Sequence, residues 1–370
     1  GREHSFPTRR SSDLIDPARA RKPHPFTGFD ADDDIGITDL ADQRPYPLVN
    51  TALNLVSGEN LAWQQRKAAA FCMTPRYAGF DLTPCCSAEA AQEGFRPSSE
   101  FLYAGLGGLW LGSAVAISGA AASPNMGYHS TPTVAFLLTV FNVRLGHWVG
   151  NPLHETAWRS SGPGFGGFYL ASELLGLTNG RTRYVYLSDG GHFENLGIYE
   201  LVRRRCRYVV ASDAGQDGIC GFEDLGNAIR KCYTDFGVRI EIDVEGMRPD
   251  AKTQRSGRCY AVGQIHYPDG MTGSLIYLKP SLTDNTPADV LNYALQNTAF
   301  PHESTADQWF SEAQFESYRK LGYDMGMRLF GSKAIVERAR KNESQTQDPA
   351  WLFDLVNELT QRMQRAPGKD

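Results

Sequence analysis

Asp189 stands in the stretch "YLSDGGHFENLG", residues 186 to 197, where a carboxylate, two glycines, a histidine, a glutamate and an asparagine fall between two apolar runs. The run before it, Arg183 to Leu187, is rich in β-formers and reads as a short strand. The run after it places Ile198, Leu201, Val202 and Cys206 at helical spacing, with arginines on the other side. In an α/β sheet, the loop from a strand's carboxyl end to the next helix is where ligands and chemistry are usually placed. Gly190 and Gly191 allow a positive φ and a close approach by another group. The first N–H groups of the following helix are then open to an anion or to capping by Asn195. The chemistry that suits this arrangement is a carboxylate that positions and deprotonates a nearby nucleophile. Asp-Gly-Gly is also ordinary turn chemistry, so the spacing alone leaves a structural turn open.

Other residues compete for a role. His192 follows the glycines and has the chemistry to complete a triad, although a histidine at a helix start more often supports a site or faces solvent. Asp213, in "SDAG", ends the next expected strand and is the best rival carboxylate, with loop capping as its plainer reading. Ser118, in "AISGA", comes nearest to a G-x-S-x-G nucleophile turn, but alanine replaces both outer glycines, and no G-x-S-x-G occurs in residues 1 to 370. The stretch from Asp213 to Asp224 has aspartate at loop positions 1, 5 and 12, like a calcium loop. Gly215 stands at its third position and its twelfth lacks the bidentate glutamate, which argues against an EF-hand. His129, His147 and His154 are irregularly spaced, no HExxH occurs, and "GPGFGG" at 162 to 167 lacks the lysine of a phosphate loop. Neither a metal nor a cofactor is expected.

The elements that must position these residues alternate. "LVNTALNL" reads as a strand and Glu59 to Phe71 as helix-forming, whereas "GGLWLGSAVAIS" alternates small and large apolar residues. "TPTVAFLLTVFNVRLG" reads as a buried helix opened by Thr131 and Pro132. After the Asp189 turn come a buried strand at Arg207 to Ser212 and an amphipathic helix through Leu225, Ile229, Cys232 and Phe236, closed by Gly237. A half-solvated strand at Val238 to Val244 and a hairpin around "PDGMTG" follow. Asp348 and Pro349 then open a last helix with Trp351, Leu352, Leu355, Val356, Leu359 and Met363 on one face. This alternation predicts an α/β fold: a three-layer α/β/α domain with a partly parallel sheet and extra C-terminal helices.

The totals narrow the function classes. A net charge of −5 gives no electrostatic footprint for nucleic acid, and 41% hydrophobic residues suffice for a substantial core. The seven cysteines include no CxxC, so neither a zinc site nor a disulfide framework is indicated, with a mild preference for a reducing compartment. From Phe101 to Val143 there is no Asp, Glu, Lys or Arg, but Gly, Ser, Pro, Asn and His interrupt the stretch. A buried core or a lipid-facing cleft is expected there ahead of a membrane span.

"DGGHFENLG", together with "RRRCRYVVASDAG", "FEDLGNAIRKC", "AISGAAASPNMGYH" and "FPHESTADQWF", resembles the patatin-like phospholipases, in a bacterial branch distantly like cytosolic phospholipase A2. The likeness runs from about Tyr46 to Gly322. It implies a patatin-like sheet and a Ser-Asp dyad that hydrolyses lipid acyl esters, with Asp189 as the base. Gly190, Gly191 and Asn195 would support the turn; His192 would not be needed in such a dyad, and it stays with Asp213 and Ser118 as a candidate supporting residue read from the sequence itself. The serine would lie in a G-x-S-x-G turn well before the aspartate, outside this chain. Residues 1 to 14 resemble sequencing-adapter read-through, which agrees with a missing start. The expected organisation is thus 1–14 non-native, 15–45 linker, 46–330 the C-terminal part of the phospholipase domain and 331–370 a helical tail. The resemblance implies a lipid or phospholipid substrate, a membrane surface as partner and a cytoplasmic or membrane-associated location. A non-catalytic lipid-binding or scaffold protein of the same fold is the alternative.

Overall fold

The computed structural model describes residues 22, 24–26, 30, 34–55, 66–81, 94–101, 108–120, 146–160, 162–163, 180–304, 307, 309–331 and 350–364. The fold is mixed α/β, as the alternation predicts, and divides into two compact units whose boundary falls between Phe193 and Glu194.

In the first unit a six-stranded sheet has the order β4-β3-β2-β1-β6-β5. The strands are β1 (Val49–Asn54), β2 (Ala68–Met73), β3 (Tyr77–Gly79), β4 (Phe95–Pro97), β5 (His147–Gly150) and β6 (Tyr184–Asp189). Every pairing in it is antiparallel, with Thr51 opposite Asp189 and Ala52 opposite Ser188. Period-two alternation sends Leu53, Val185 and Leu187 into one core, where they meet Phe71, Phe101, Trp158 and the Ala114 and Ile117 face of helix α1 (Leu111–Ser118).

Two expectations change here. The end of the segment expected to be helical, Ala68 to Phe71, lies in β2, a strand paired on both sides. Its alanine-rich sequence favours a helix locally, and tertiary pairing overrides that preference. The second is "LGSAVAIS", which is helix α1 rather than alternating strand. Asp34, in the acidic stretch expected to be a linker, accepts from Gly112 N–H at 2.9 Å and so caps this helix, while Ile37 is fully buried. The expected helix at 131–145 and the Asp348–Pro349 cap lie outside the described residues, as does most of the uncharged 101–143 stretch. Among the described residues no helix is long and apolar enough to cross a membrane.

The second unit holds a four-stranded sheet of order β7-β10-β9-β8, from β7 (Tyr208–Ser212), β8 (Arg239–Ile242), β9 (Tyr260–His266) and β10 (Thr272–Leu278). β9 and β10 form the expected hairpin, and β7 runs parallel to β10. β7 is not the fully buried strand expected: it is an edge strand whose buried and exposed residues alternate, with Val210 44% exposed. Helices α2 (Ile198–Arg203) and α3 (Glu223–Phe236) pack beside β7 and β8, and Phe222 at the start of α3 meets Tyr277 edge-on. Ile276 and Tyr260 face α4 (Ala288–Gln296), α5 (Glu312–Phe330) and α6 (Ala350–Gln364), where Leu321, Leu329, Leu355 and Leu359 close a second core. The unit is a helix–sheet–helix sandwich, with the C-terminal helices as one layer.

Candidate active site

Asp189 is the last residue of β6, half-buried, and its carboxylate Oδ1 accepts from Gly191 N–H at 2.7 Å, capping a right-handed 3-10 turn, Gly190–His192. Among the described residues no hydrogen bond occupies its Oδ2. The Asp189 N–H donates to the Ala120 carbonyl at 3.4 Å, just past the end of α1. Ser118, on the last turn of that helix, donates to the Asn50 carbonyl at 2.7 Å. The same carbonyl oxygen would lie 2.5 Å from a Cβ at position 190, so only glycine fits there. Asp189, Gly190, Gly191 and Ser118 are therefore brought together where α1 ends against β1 and β6. Ser118 itself ends a helix and its hydroxyl is held by a carbonyl, which is not the strand-to-helix setting of a nucleophile turn.

Gly190 and Gly191 serve differently from expectation. They lie in the right-handed 3-10 turn, and the left-handed position is Gly197, with φ 73°, at the N-cap of α2. At the start of α2 the Tyr199 N–H is taken by Glu194 and not by Asn195. The buried Glu194 carboxylate accepts from Leu196 N–H at 2.6 Å and Tyr199 N–H at 3.0 Å. Burial pushes the Glu194 carboxyl above the usual range against the pull of those two donors and of Lys231. Asn195 instead donates to Asp224 Oδ2 at 3.0 Å, within the second unit.

Behind the turn, Ser188 is fully buried, and its hydroxyl lies 2.9 Å from His192 Nδ1 and accepts from Asn54 Nδ2 at 3.2 Å. Sequence reasoning passed over Ser188 and Asn54. The only signal for Ser188 was a polar residue at an inward position of an apolar strand, and nothing local marked Asn54.

The rival carboxylate is held quite differently. Asp213 does not lie on a strand neighbouring that of Asp189, since β6 and β7 belong to different sheets. Its Oδ1 accepts from Gly215 N–H at 2.9 Å, and its Oδ2 accepts from Tyr277 Oη at 2.5 Å and lies 3.0 Å from Lys279 Nζ. Asp213 and Lys279 are both buried, and Asp217 Oδ2 approaches the same ammonium at 3.7 Å. Burial and the hydrogen bond to Asp213 push the Tyr277 hydroxyl far up, so it remains a donor. Asp217 also accepts from the Gly221 and Phe222 N–H groups at 2.7 and 2.9 Å. The loop that resembled a calcium site thus turns these carboxylates onto internal donors. Among the described residues no group of three or more His, Cys, Asp or Glu is arranged to hold a metal ion.

No protein-family model matches the chain, and no curated protein matches it. Among solved structures it is similar to human GIVD cytosolic phospholipase A2. The TM-score is 0.46 at 13% identity, over 88% of this chain and 47% of that one. The chain thus spans about half the length of that protein.

Proposed function

We propose that this chain carries the general base of a lipid acyl hydrolase of the phospholipase type, acting through a Ser-Asp dyad, with Asp189 as the base. The observation that supports this best is the carboxylate itself: one oxygen is held by Gly191 N–H at the carboxyl end of β6, and the other has no hydrogen bond among the described residues. A base needs a fixed orientation and an available lone pair, and this arrangement provides both. The resemblance of "DGGHFENLG" and its flanks to the patatin-like phospholipases supplies the reaction class. The hydroxyl would attack an ester carbonyl as Asp189 takes its proton, and the ester C–O bond would break with that proton passing to the departing alcohol. Water, deprotonated by Asp189 in turn, would release the fatty acid and restore the hydroxyl. No G-x-S-x-G occurs in residues 1 to 370, and in this reading the nucleophile is supplied from outside them. Alone, this chain is expected to be inactive. Lipid or phospholipid is the substrate class in this reading, with a membrane surface as the place of encounter.

The test uses the complete reading frame that contains this chain, assayed on a short-chain p-nitrophenyl ester and on phosphatidylcholine vesicles. Asp189→Asn keeps the acceptor for Gly191 and removes the base, so kcat should fall by about 10²–10⁴ with the melting temperature unchanged. Retained activity in that variant removes Asp189 from the mechanism. Binding of the vesicles without hydrolysis by the unaltered protein favours the non-catalytic lipid-binding reading, which the lack of a G-x-S-x-G here already recommends as the second choice.

A further inference from the structure

Two consecutive glycines beside a carboxylate leave the turn conformationally loose, because glycine populates more backbone states than any other residue. A base that must meet a hydroxyl within hydrogen-bond reach needs that freedom removed. The turn at Asp189 is closed by a side-chain tether across it. Ser188, immediately before the aspartate, is anchored in the sheet and buried. His192, immediately after the glycines, reaches back to it at 2.9 Å. Ser188 is held in turn by Asn54, two residues along β1 from its opposite partner Ala52 and so on the same sheet face. The Ser188 hydroxyl thus links the Asn54 amide, whose hydrogen its oxygen accepts, to His192 Nδ1 in one hydrogen-bonded chain.

We propose that His192 is a positioning residue, which, through the chain Asn54–Ser188–His192, holds residues 189–191 in the 3-10 turn and thereby aims the Asp189 carboxylate. This rests on the reading of Asp189 as the base. The tether and the Gly191–Asp189 hydrogen bond act on the same residues from two sides. The tether fixes where the turn ends, and the amide fixes the carboxylate against it. Ser188 itself is not a nucleophile here, since it is fully buried on the strand.

The experiment compares variants of the complete reading frame on the p-nitrophenyl ester. His192→Ala should lower kcat about ten- to a hundredfold with little change in KM, because a misplaced base slows the proton transfer and leaves ester binding alone. His192→Asn, whose side-chain oxygen can stand near the place of Nδ1, should recover most of that loss. Ser188→Ala should match His192→Ala. The double variant Asp189→Asn/His192→Ala should be no slower than Asp189→Asn alone, since a residue acting only through Asp189 has nothing left to position. Full kcat in His192→Ala while Asp189→Asn is inactive overturns this proposal and leaves the base assignment standing. An active Asp189→Asn overturns the base assignment, and the positioning role with it. Losses that add in the double variant, or that His192→Asn fails to rescue, assign His192 a direct role and also overturn the proposal. Should Ser188→Ala fail to fold, the His192 variants, at a partly exposed position, carry the test.

Discussion

Ser188 to Gly191 and Ser212 to Gly215 are both Ser-Asp-x-Gly, and each closes a strand at its carboxyl end. In both, the aspartate Oδ1 accepts from the N–H two residues on, at 2.7 Å for Asp189 and 2.9 Å for Asp213. The second oxygen separates them. At Asp213 it meets the Tyr277 hydroxyl and the buried Lys279 ammonium, whereas at Asp189 no described residue takes it. The same local chemistry thus yields a locked internal ion pair in one place and a carboxylate with one oxygen unoccupied by any described residue in the other. A carboxylate is made available by what the fold withholds from it, and the turn motif by itself does not carry that information.

The largest expected contrast is in stability. Asp213→Asn leaves the buried Lys279 ammonium with the more distant Asp217 carboxylate and with the Gly215 carbonyl at 3.3 Å, and should destabilise the second unit by about 3 kcal/mol. Asp189→Asn retains its one hydrogen bond and should change stability by less than about 0.5 kcal/mol. Chemical denaturation of the two variants measures both, and equal losses would break the distinction drawn between the turns. Tyr277→Phe tests the other donor to Asp213. It removes a hydrogen bond to a charged acceptor that keeps Lys279, and should cost about 1.5 kcal/mol; an unchanged midpoint would show that Lys279 alone holds the aspartate.

The smallest effect concerns His302, which faces this cluster and whose Nδ1 is buried without a hydrogen-bond partner among the described residues. Burial, and then the Lys279 charge, hold its pKa below the ordinary 6.5, against the opposing pull of Asp217 and Asp213. Because the folded state resists protonation here, this group favours the fold above pH 6.5, and stability declines as the pH falls below that value towards the folded-state pKa. Lys279→Met should move the His302 titration upward, read by NMR of the imidazole. A downward move would mean that burial has deepened and that the Lys279 charge is not a principal cause.

Much of the local order was legible in advance because it follows from periodicity and turn chemistry. The strand before Asp189, the helix after it, the amphipathic helix closed by left-handed Gly237 and the β9–β10 hairpin all depend on neighbours within a few residues. The misread elements were those whose conformation depends on distant partners. Alanine-rich β2 is a strand because β1 and β3 pair with it, and "LGSAVAIS" is a helix capped by Asp34 from 78 residues away.

Within the candidate site the division is similar. By itself the sequence determined that Asp189 would end a strand at a glycine turn, since an apolar β-run and a Gly-Gly pair leave few other backbone solutions. Only the tertiary structure decided why Gly190 must be glycine, through the Asn50 carbonyl pressed against it. It also decided that Glu194 rather than Asn195 caps α2, and that Lys279 and Tyr277 neutralise Asp213 while Asp189 keeps an oxygen available. These are contacts between residues far apart in the chain. Which donors a carboxylate meets is set by strand order and burial, and neither is encoded in the spacing around it.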